Sequence, residues 1–393
     1  MNQFGKITPD GTKDRLFDEC EKRGAFIRAL GDLFRARGFR EVSTPVLEYY
    51  DVFETAKGYF PQQSIYKLID HTGRILVLRP DCTIPIARLI GSRLKNHTDP
   101  LRIFYNQKIY RYADGNSGVS GEISQMGVEY IGANLAICDV EIMELAARSL
   151  NAVCGDDFQL ELCHIGYFNA LVDSLNAPAE IGEQIRDLVE HKNFPALDSL
   201  LEQFEGCPAQ KALKKLPALF GSVAVLNEAR ALFSNEASDK ALDYLASIYN
   251  TLSSLGLAEH LTIDLGLVNQ ADYYTGIIFR GYTAGAGEPV LSGGRYDGLT
   301  REFGEDRPAT GFAVNLDLLC EKAATKQQNK AASAAVLVDE KSDIKKVFEL
   351  LGKLNAEGYT AQIIPVEDAV CAGNKTGFDR IFAVVGETER EVL

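Results

Sequence analysis

Four short stretches of the 393-residue chain bring together residue types that could hold a small zwitterion. The first is Leu78-Arg79-Pro80-Asp81-Cys82-Thr83, a strand-like run entering a polar turn, with a carboxylate and a hydroxyl two positions apart. Taken alone, it reads equally well as an Arg and an Asp at a helix start. The second is Tyr110-Arg111-Tyr112, followed by Gln125-Met126-Gly127-Val128-Glu129. On a strand Gln125 and Glu129 project from one face, because side chains alternate with a period of two. An amide and a carboxylate on an inward face are costly unless a partner meets them, and an amino-acid ammonium group is one suitable partner. The third stretch is Asp264-Leu265-Gly266-Leu267-Val268-Asn269-Gln270-Ala271-Asp272-Tyr273-Tyr274-Thr275-Gly276, and the fourth is Ser292-Gly293-Gly294-Arg295-Tyr296-Asp297-Gly298-Leu299. Each reads as a turn between strands, and any one of its tyrosines could be a core residue with a satisfied hydroxyl.

Positioning these residues requires a sheet and flanking helices. Asp14–Arg37 carries Leu16, Phe17, Cys20, Ile27, Leu30, Leu33 and Phe34 at the spacing of an amphipathic helix, with Gly38 where a left-handed cap would stand. Strand character follows at 41–48, 75–78, 102–105 and 126–131, without the regular alternation of a doubly wound parallel sheet. The fold class expected is therefore α+β, around a mainly antiparallel sheet. From about 176 to 256 the texture is that of a helical insertion, after which strands return at 261–265, 276–282 and 289–292. The order expected is a first domain over 1–325, a linker over 326–334, and a small α/β domain over 335–393.

Composition narrows the function. The 41 Lys+Arg against 55 Asp+Glu give a net charge of −14, which disfavours nucleic acid because phosphate binding needs a basic face. No apolar run reaches the length of a membrane span, and Met1-Asn2-Gln3-Phe4-Gly5-Lys6 lacks a signal-peptide core, so a cytoplasmic protein with no membrane partner is expected. The eight cysteines form no C-x-x-C pair and are expected to be reduced and mostly buried. Cys163 and His164, being consecutive on a strand, point to opposite faces and cannot share an ion, so no metal and no cofactor is expected.

Taken together and in order, Leu-Arg-Pro-Asp-x-Thr, Tyr-Arg-Tyr, Gln-x-Gly-Val-Glu, Asp-Tyr-Tyr-Thr-Gly and Gly-Gly-Arg-Tyr-Asp-Gly-Leu resemble the catalytic domain of histidyl-tRNA synthetase, a class II synthetase. The resemblance covers roughly residues 6–325. It implies an antiparallel sheet flanked by helices, a homodimer formed through the first motif at Thr44-Pro45, and a histidine pocket on the sheet. The chain departs from the synthetases where ATP is handled. Ala113 stands at the acidic residue that reads adenine, Gly118-Val119-Ser120-Gly121-Glu122 at the arginine-rich second-motif loop, Asn269 at an arginine, and Leu318 at the arginine ending the third motif. Losing one such preorganised donor costs roughly 10²–10³ in rate. The segment 331–393 is short and acidic where synthetases read the anticodon.

This combination resembles the regulatory subunits of ATP phosphoribosyltransferase in histidine biosynthesis. The resemblance implies a non-catalytic subunit in a hetero-octamer with a short catalytic subunit, required for that subunit's activity and for feedback inhibition by L-histidine. The histidine-binding residues it implies are Asp81, Thr83, Arg111, Gln125, Glu129, Tyr273, Tyr274 and Tyr296. In the arrangement expected, the ammonium lies near Asp81, Thr83, Gln125 and Glu129, the carboxylate near Arg111, and the imidazole near Tyr274 and Tyr296. The alternative is a divergent histidyl-tRNA synthetase.

Overall fold

A computed structural model describes residues 3–55, 62–112, 121–132, 134–268, 273–322, 332–366, 377–385 and 388–392. The substituted positions Ala113, Val119 and Asn269, together with Gln270, Ala271, Asp272 and Cys371, lie outside them. The chain forms two compact units, Met1–Ala324 and Thr325–Leu393.

The first unit is built on a nine-stranded sheet. Its strands, in spatial order, are β1 (Arg40–Glu41), β5 (Leu101–Tyr110), β6 (Glu122–Ile131), β12 (Ala309–Asn315), β11 (Leu291–Arg295), β10 (Ile277–Thr283), β7 (Phe158–His164), β9 (Leu261–Asp264) and β8 (Phe220–Gly221). The pairings are antiparallel except β1 with β5 and β7 with β9. A second, three-stranded sheet orders β2 (Leu47–Tyr49), β4 (Ile75–Leu78) and β3 (Lys67–Ile69). The single strand expected over 41–48 is therefore two, broken at Thr44-Pro45, where proline removes a ladder donor.

Alternation along the central strands sends two sets of side chains to opposite faces. Phe104, Met126, Val128 and Phe312 enter the large core under helices α1 (Phe17–Ala36) and α4 (Ala136–Cys154). Phe34 of α1 sits 5.8 Å from Phe104 and 5.9 Å from Phe312, edge-on or tilted as aromatic quadrupoles prefer. Helix α1 stops where Gly38, at φ +78°, donates to Arg35 while Phe39 donates back to Phe34. On the other face, Ile103, Tyr105, Ile109 and Ile131 join Tyr296 and Leu299 in a smaller core, closed by α3 (Thr83–Ser92) and by Phe53 of α2 (Tyr50–Thr55). The candidate residues belong to this second face.

After α5 (Ile165–Asp173) the insertion runs through α6 (Ala179–Glu190), α7 (Phe194–Leu201), α8 (Pro208–Lys215), α9 (Val225–Leu232) and α10 (Glu236–Leu252). Its one departure from all-helix is the two-residue β8, bonded antiparallel to β9 as the sheet's last strand. A short helix α11 (Leu316–Lys322) ends the unit. In the second unit β14 (Thr360–Pro365), β13 (Ser333–Val338), β15 (Arg380–Val385) and β16 (Thr388–Glu391) form a sheet beside α12 (Ile344–Ala356). Strand β13 begins at Ser333, inside the linker expected over 326–334, and residues 326–331 are not described. Among the described residues no helix is long and apolar enough to cross a membrane.

Candidate functional site

Glu129 is the centre of the candidate site. It stands on β6 in a cross-strand row with Ile103, Gly311, Gly294 and Ile278. Two glycines in that row shape the floor: a methyl group on Gly311 would collide with the Glu129 carboxylate, and one on Gly294 would meet the Tyr274 ring at 2.7 Å. Gly127, two residues before Glu129, similarly leaves room for the Tyr105 hydroxyl. Small residues on the floor let a carboxylate and two tyrosine rings lie against the sheet.

Glu129 is 2% exposed, and its hydrogen-bond partners are hydroxyls. Thr83 donates to Oε1 at 2.9 Å, and Tyr296 donates to Oε2 in a very short bond. Burial pushes the carboxyl up to about 8, while the bonds from Tyr296 and Thr83 oppose that rise and the neighbouring Asp81 adds to it. Asp81, nearly as buried, accepts from the Ile84 amide at 2.9 Å and so caps the start of α3. Burial raises its pKa as well, against the opposing pull of that amide and of Arg111. Arg111 is placed by a 2.9 Å bond from Nε to the Pro80 carbonyl.

The tyrosines close the space above these carboxyls. Tyr273 lies 4.7 Å from Tyr274 and 5.8 Å from Tyr296, ring centre to ring centre. All three hydroxyls are held well above their ordinary pKa, first by burial and then by neighbouring acidic groups. Gln125, at the other end of β6, presents its Oε1 3.4 Å from the Tyr105 hydroxyl. Asp81, Thr83, Arg111, Gln125, Glu129, Tyr273, Tyr274 and Tyr296 thus belong to one side of one sheet. Tyr296 meets Glu129 directly, linking a residue assigned to the imidazole end with one assigned to the ammonium end.

Tyr105 joins the site although no sequence motif singles it out. It is fully buried, and its pKa is raised well above the usual range by burial, with Cys82, Glu129 and Asp81 adding to the rise. The signal for it is the register, since Tyr105 pairs with Gly127, midway between Gln125 and Glu129. The fourth stretch is not the turn expected, at least as far as Arg295. Ser292–Arg295 continues β11, and its glycines serve close packing against Phe279, Phe312 and Tyr274 rather than chain reversal. Arg79 supports the site from outside it. Its guanidinium donates to the carbonyls of Lys108, Thr44 and Pro45, pinning the break between β1 and β2.

The neighbouring region, where a synthetase handles nucleotide, is organised differently. Asn315 at the end of β12 accepts from the amides of Asp317 and Leu318, capping α11. Asp317 receives the Ser124 amide and pairs with Arg15 at 2.8 Å, while Leu318 packs against the large core. His164 accepts from the Gly166 amide, and burial pushes it down to about 4, so it is neutral near pH 7. Among the described residues no cluster of His, Cys, Asp and Glu could hold a metal ion. All seven described cysteines are free, but only Cys82, Cys138 and Cys163 are buried, fewer than expected.

Comparison with known proteins agrees with this architecture. The family model described as histidyl-tRNA synthetase matches residues 11–319. An ATP phosphoribosyltransferase regulatory subunit from Clostridium kluyveri is 40% identical over 92% of this chain and 94% of its own length. A crystal structure titled as an ATP phosphoribosyltransferase regulatory subunit/histidyl-tRNA synthetase from Bacillus halodurans superposes with a TM-score of 0.86. It is 30% identical and spans 98% of this chain and 100% of its own. A histidyl-tRNA synthetase from Nostoc sp. shares the fold at a TM-score of 0.78 and 19% identity, over 97% of this chain and 91% of its own. With a sheet-borne carboxyl pocket, a leucine at the third-motif arginine position, and relatives of this identity and coverage, the chain belongs to the family of ATP phosphoribosyltransferase regulatory subunits, built on the class II histidyl-tRNA synthetase fold.

Proposed function

We propose that this chain serves histidine biosynthesis as a non-catalytic subunit that activates a separate short ATP phosphoribosyltransferase catalytic subunit and confers feedback inhibition by L-histidine. The observation that carries the reading is the contrast between two neighbouring regions. The amino-acid side keeps Asp81, Thr83, Arg111, Gln125, Glu129 and the tyrosines together, whereas Asn315, Asp317 and Leu318 serve helix capping, an internal ion pair and core packing. A pocket that keeps a zwitterion's partners, in a chain with Ala113, Asn269 and Leu318 at the synthetases' nucleotide-handling positions, suits a sensor.

Charge matching suggests how histidine sits. Its ammonium pairs with Asp81, beside Gln125, and its carboxylate with Arg111. Glu129 lies deepest, among Thr83, Tyr273, Tyr274 and Tyr296, and there the imidazole is the suitable group because it brings an N–H to an apolar, hydroxyl-lined end. Binding to one state of the assembly more tightly than the other then shifts activity.

The assembly we propose is a cytoplasmic hetero-octamer containing homodimers of this chain. The homodimer is supported by apolar side chains exposed on one face of the three-stranded sheet, Leu47, Tyr49 and Leu68. The groove there is lined by Pro45, Leu47, Tyr49, Val52 and Leu76, together with the ion-paired Glu48 and Arg88. Exposed apolar side chains bordered by charged ones in this way mark an association surface.

Reconstitution tests the reading. The purified chain should raise the phosphoribosyl-transfer rate of the short catalytic subunit, histidine should suppress the raised rate, and histidine should stimulate no ATP–pyrophosphate exchange by the chain alone. Robust exchange would favour a synthetase, and failure to activate would reject the regulatory assignment.

A further inference from the structure

Behind the pocket tyrosines lies a buried polar network that the histidine contacts do not use. Arg295, the last residue of β11, is 7% exposed and stands immediately before Tyr296. Its carbonyl accepts the Thr275 amide at 2.8 Å, and its side chain runs beneath Gly276, where an added methyl would meet it at 3.1 Å. The residues flanking Tyr274 and Tyr296 are therefore braced by one arginine. The guanidinium leads away from the pocket: Nε lies 3.1 and 3.0 Å from the two carboxylate oxygens of Asp139 on α4, and Nη1 lies 3.0 Å from Asp297. Asp139 is fully buried, and its second oxygen accepts a 2.5 Å bond from Tyr244 on α10, in the insertion. His164 touches the Tyr244 ring edge-on at 5.5 Å and, being neutral near pH 7, brings no rival charge.

We infer that Asp139, Arg295 and Tyr244 form a relay through which occupancy of the pocket is transmitted to the helical insertion. The inference rests on the histidine-binding reading of the pocket and adds the element that responds. Three features favour transmission over simple support. The chain is continuous, running from Tyr296 through Arg295 and Asp139 to Tyr244. Its Arg295–Asp139 centre is dry, so water cannot replace a partner that moves there, and a shift of Arg295 draws Asp139 and the hydroxyl of the half-buried Tyr244 with it. It also has an arrangement to move into: Nη2 of Arg295 lies 2.8 Å from Asp139 yet is too poorly directed to make a hydrogen bond. A small rotation of Arg295, following its tyrosine neighbours, would complete the two-pronged bond that arginine and carboxylate prefer. Arg295, Asp139 and Tyr244 are thus positioning residues, acting through Tyr274 and Tyr296.

The test uses the full chain reconstituted with the catalytic subunit and the substitution Tyr244→Phe, which removes one hydroxyl and keeps the ring that packs in the insertion. Histidine binding to the purified chain should stay within about threefold of wild type, whereas the histidine concentration for half-inhibition of the complex should rise at least about fivefold, the lower end of ordinary coupling. Hydrogen exchange supplies a second readout: histidine should slow exchange over residues 236–252 in wild type and not in Tyr244→Phe. Inhibition and protection equal to wild type would overturn the relay while leaving the pocket intact. A parallel loss of binding and inhibition would also overturn it, making Tyr244 a mere support. A wild-type chain that neither binds histidine nor confers inhibition would reject the histidine reading itself, and the relay with it.

Discussion

Two buried carboxylates on the same sheet framework have opposite surroundings. Asp139, beneath the sheet, meets Arg295 and the Tyr244 hydroxyl, so its charge is matched inside the protein. Glu129, on the opposite face, meets only neutral hydroxyls from Thr83 and Tyr296 among its hydrogen-bond partners, and Asp81 adds like charge nearby. Burying a carboxylate without a cation costs several kcal/mol unless it stays protonated or a cationic partner arrives. Asp139 has its partner in the fold, whereas Glu129 has the one that the proposed function supplies from outside.

Removing each carboxylate should therefore have opposite consequences. Asp139→Ala leaves Arg295 buried without its counter-charge and Tyr244 without an acceptor, and should destabilise the chain by about 3–5 kcal/mol, read from urea unfolding. Equal stability of the variant would break the comparison at once. Glu129, by contrast, should make stability depend on pH. Its folded pKa of about 8 exceeds the ordinary value, so the folded state holds its proton more tightly. Stability is then greatest below pH 4.5 on account of this group and is lost as pH rises through 8, by about 3 kcal/mol between pH 5 and 8. Glu129→Gln should flatten that part of the profile, and an unchanged slope would place the effect elsewhere.

Smaller effects sharpen the contrast further. Gly311→Ala sets a methyl against the Glu129 carboxylate and should cost about 1–3 kcal/mol, with histidine binding falling in parallel. Tyr274→Phe removes one hydroxyl from the pocket and should weaken histidine binding about fivefold, the worth of roughly 1 kcal/mol, measured by titration calorimetry. A tenfold tightening would show that this hydroxyl opposes the ligand.

Much of this is legible in the amino-acid sequence alone. The spacing of Gln125 and Glu129 places them on one face because a strand's period is fixed, and the helix ending at Gly38 is legible because a left-handed cap demands glycine. What escapes has tertiary causes. Gly293 and Gly294 look like turn residues, yet they lie in a strand because Phe279, Phe312 and Tyr274 pack where side chains would stand. Tyr105 becomes part of the site only once β5 is registered against β6. Nothing local to Asp139 or Tyr244 announces a partnership spanning 105 residues of sequence.

The central claim is that Glu129 is the pocket's seat for a ligand and carries no catalysis. The most direct measurement is the phosphoribosyl-transfer rate of the reconstituted complex against rising histidine, with wild-type chain and with Glu129→Gln. A charge-assisted hydrogen bond contributes roughly 2–3 kcal/mol, so the variant should activate the catalytic subunit fully while its half-inhibitory histidine concentration rises about 30–150-fold. Inhibition of both complexes at the same histidine concentration would contradict the account.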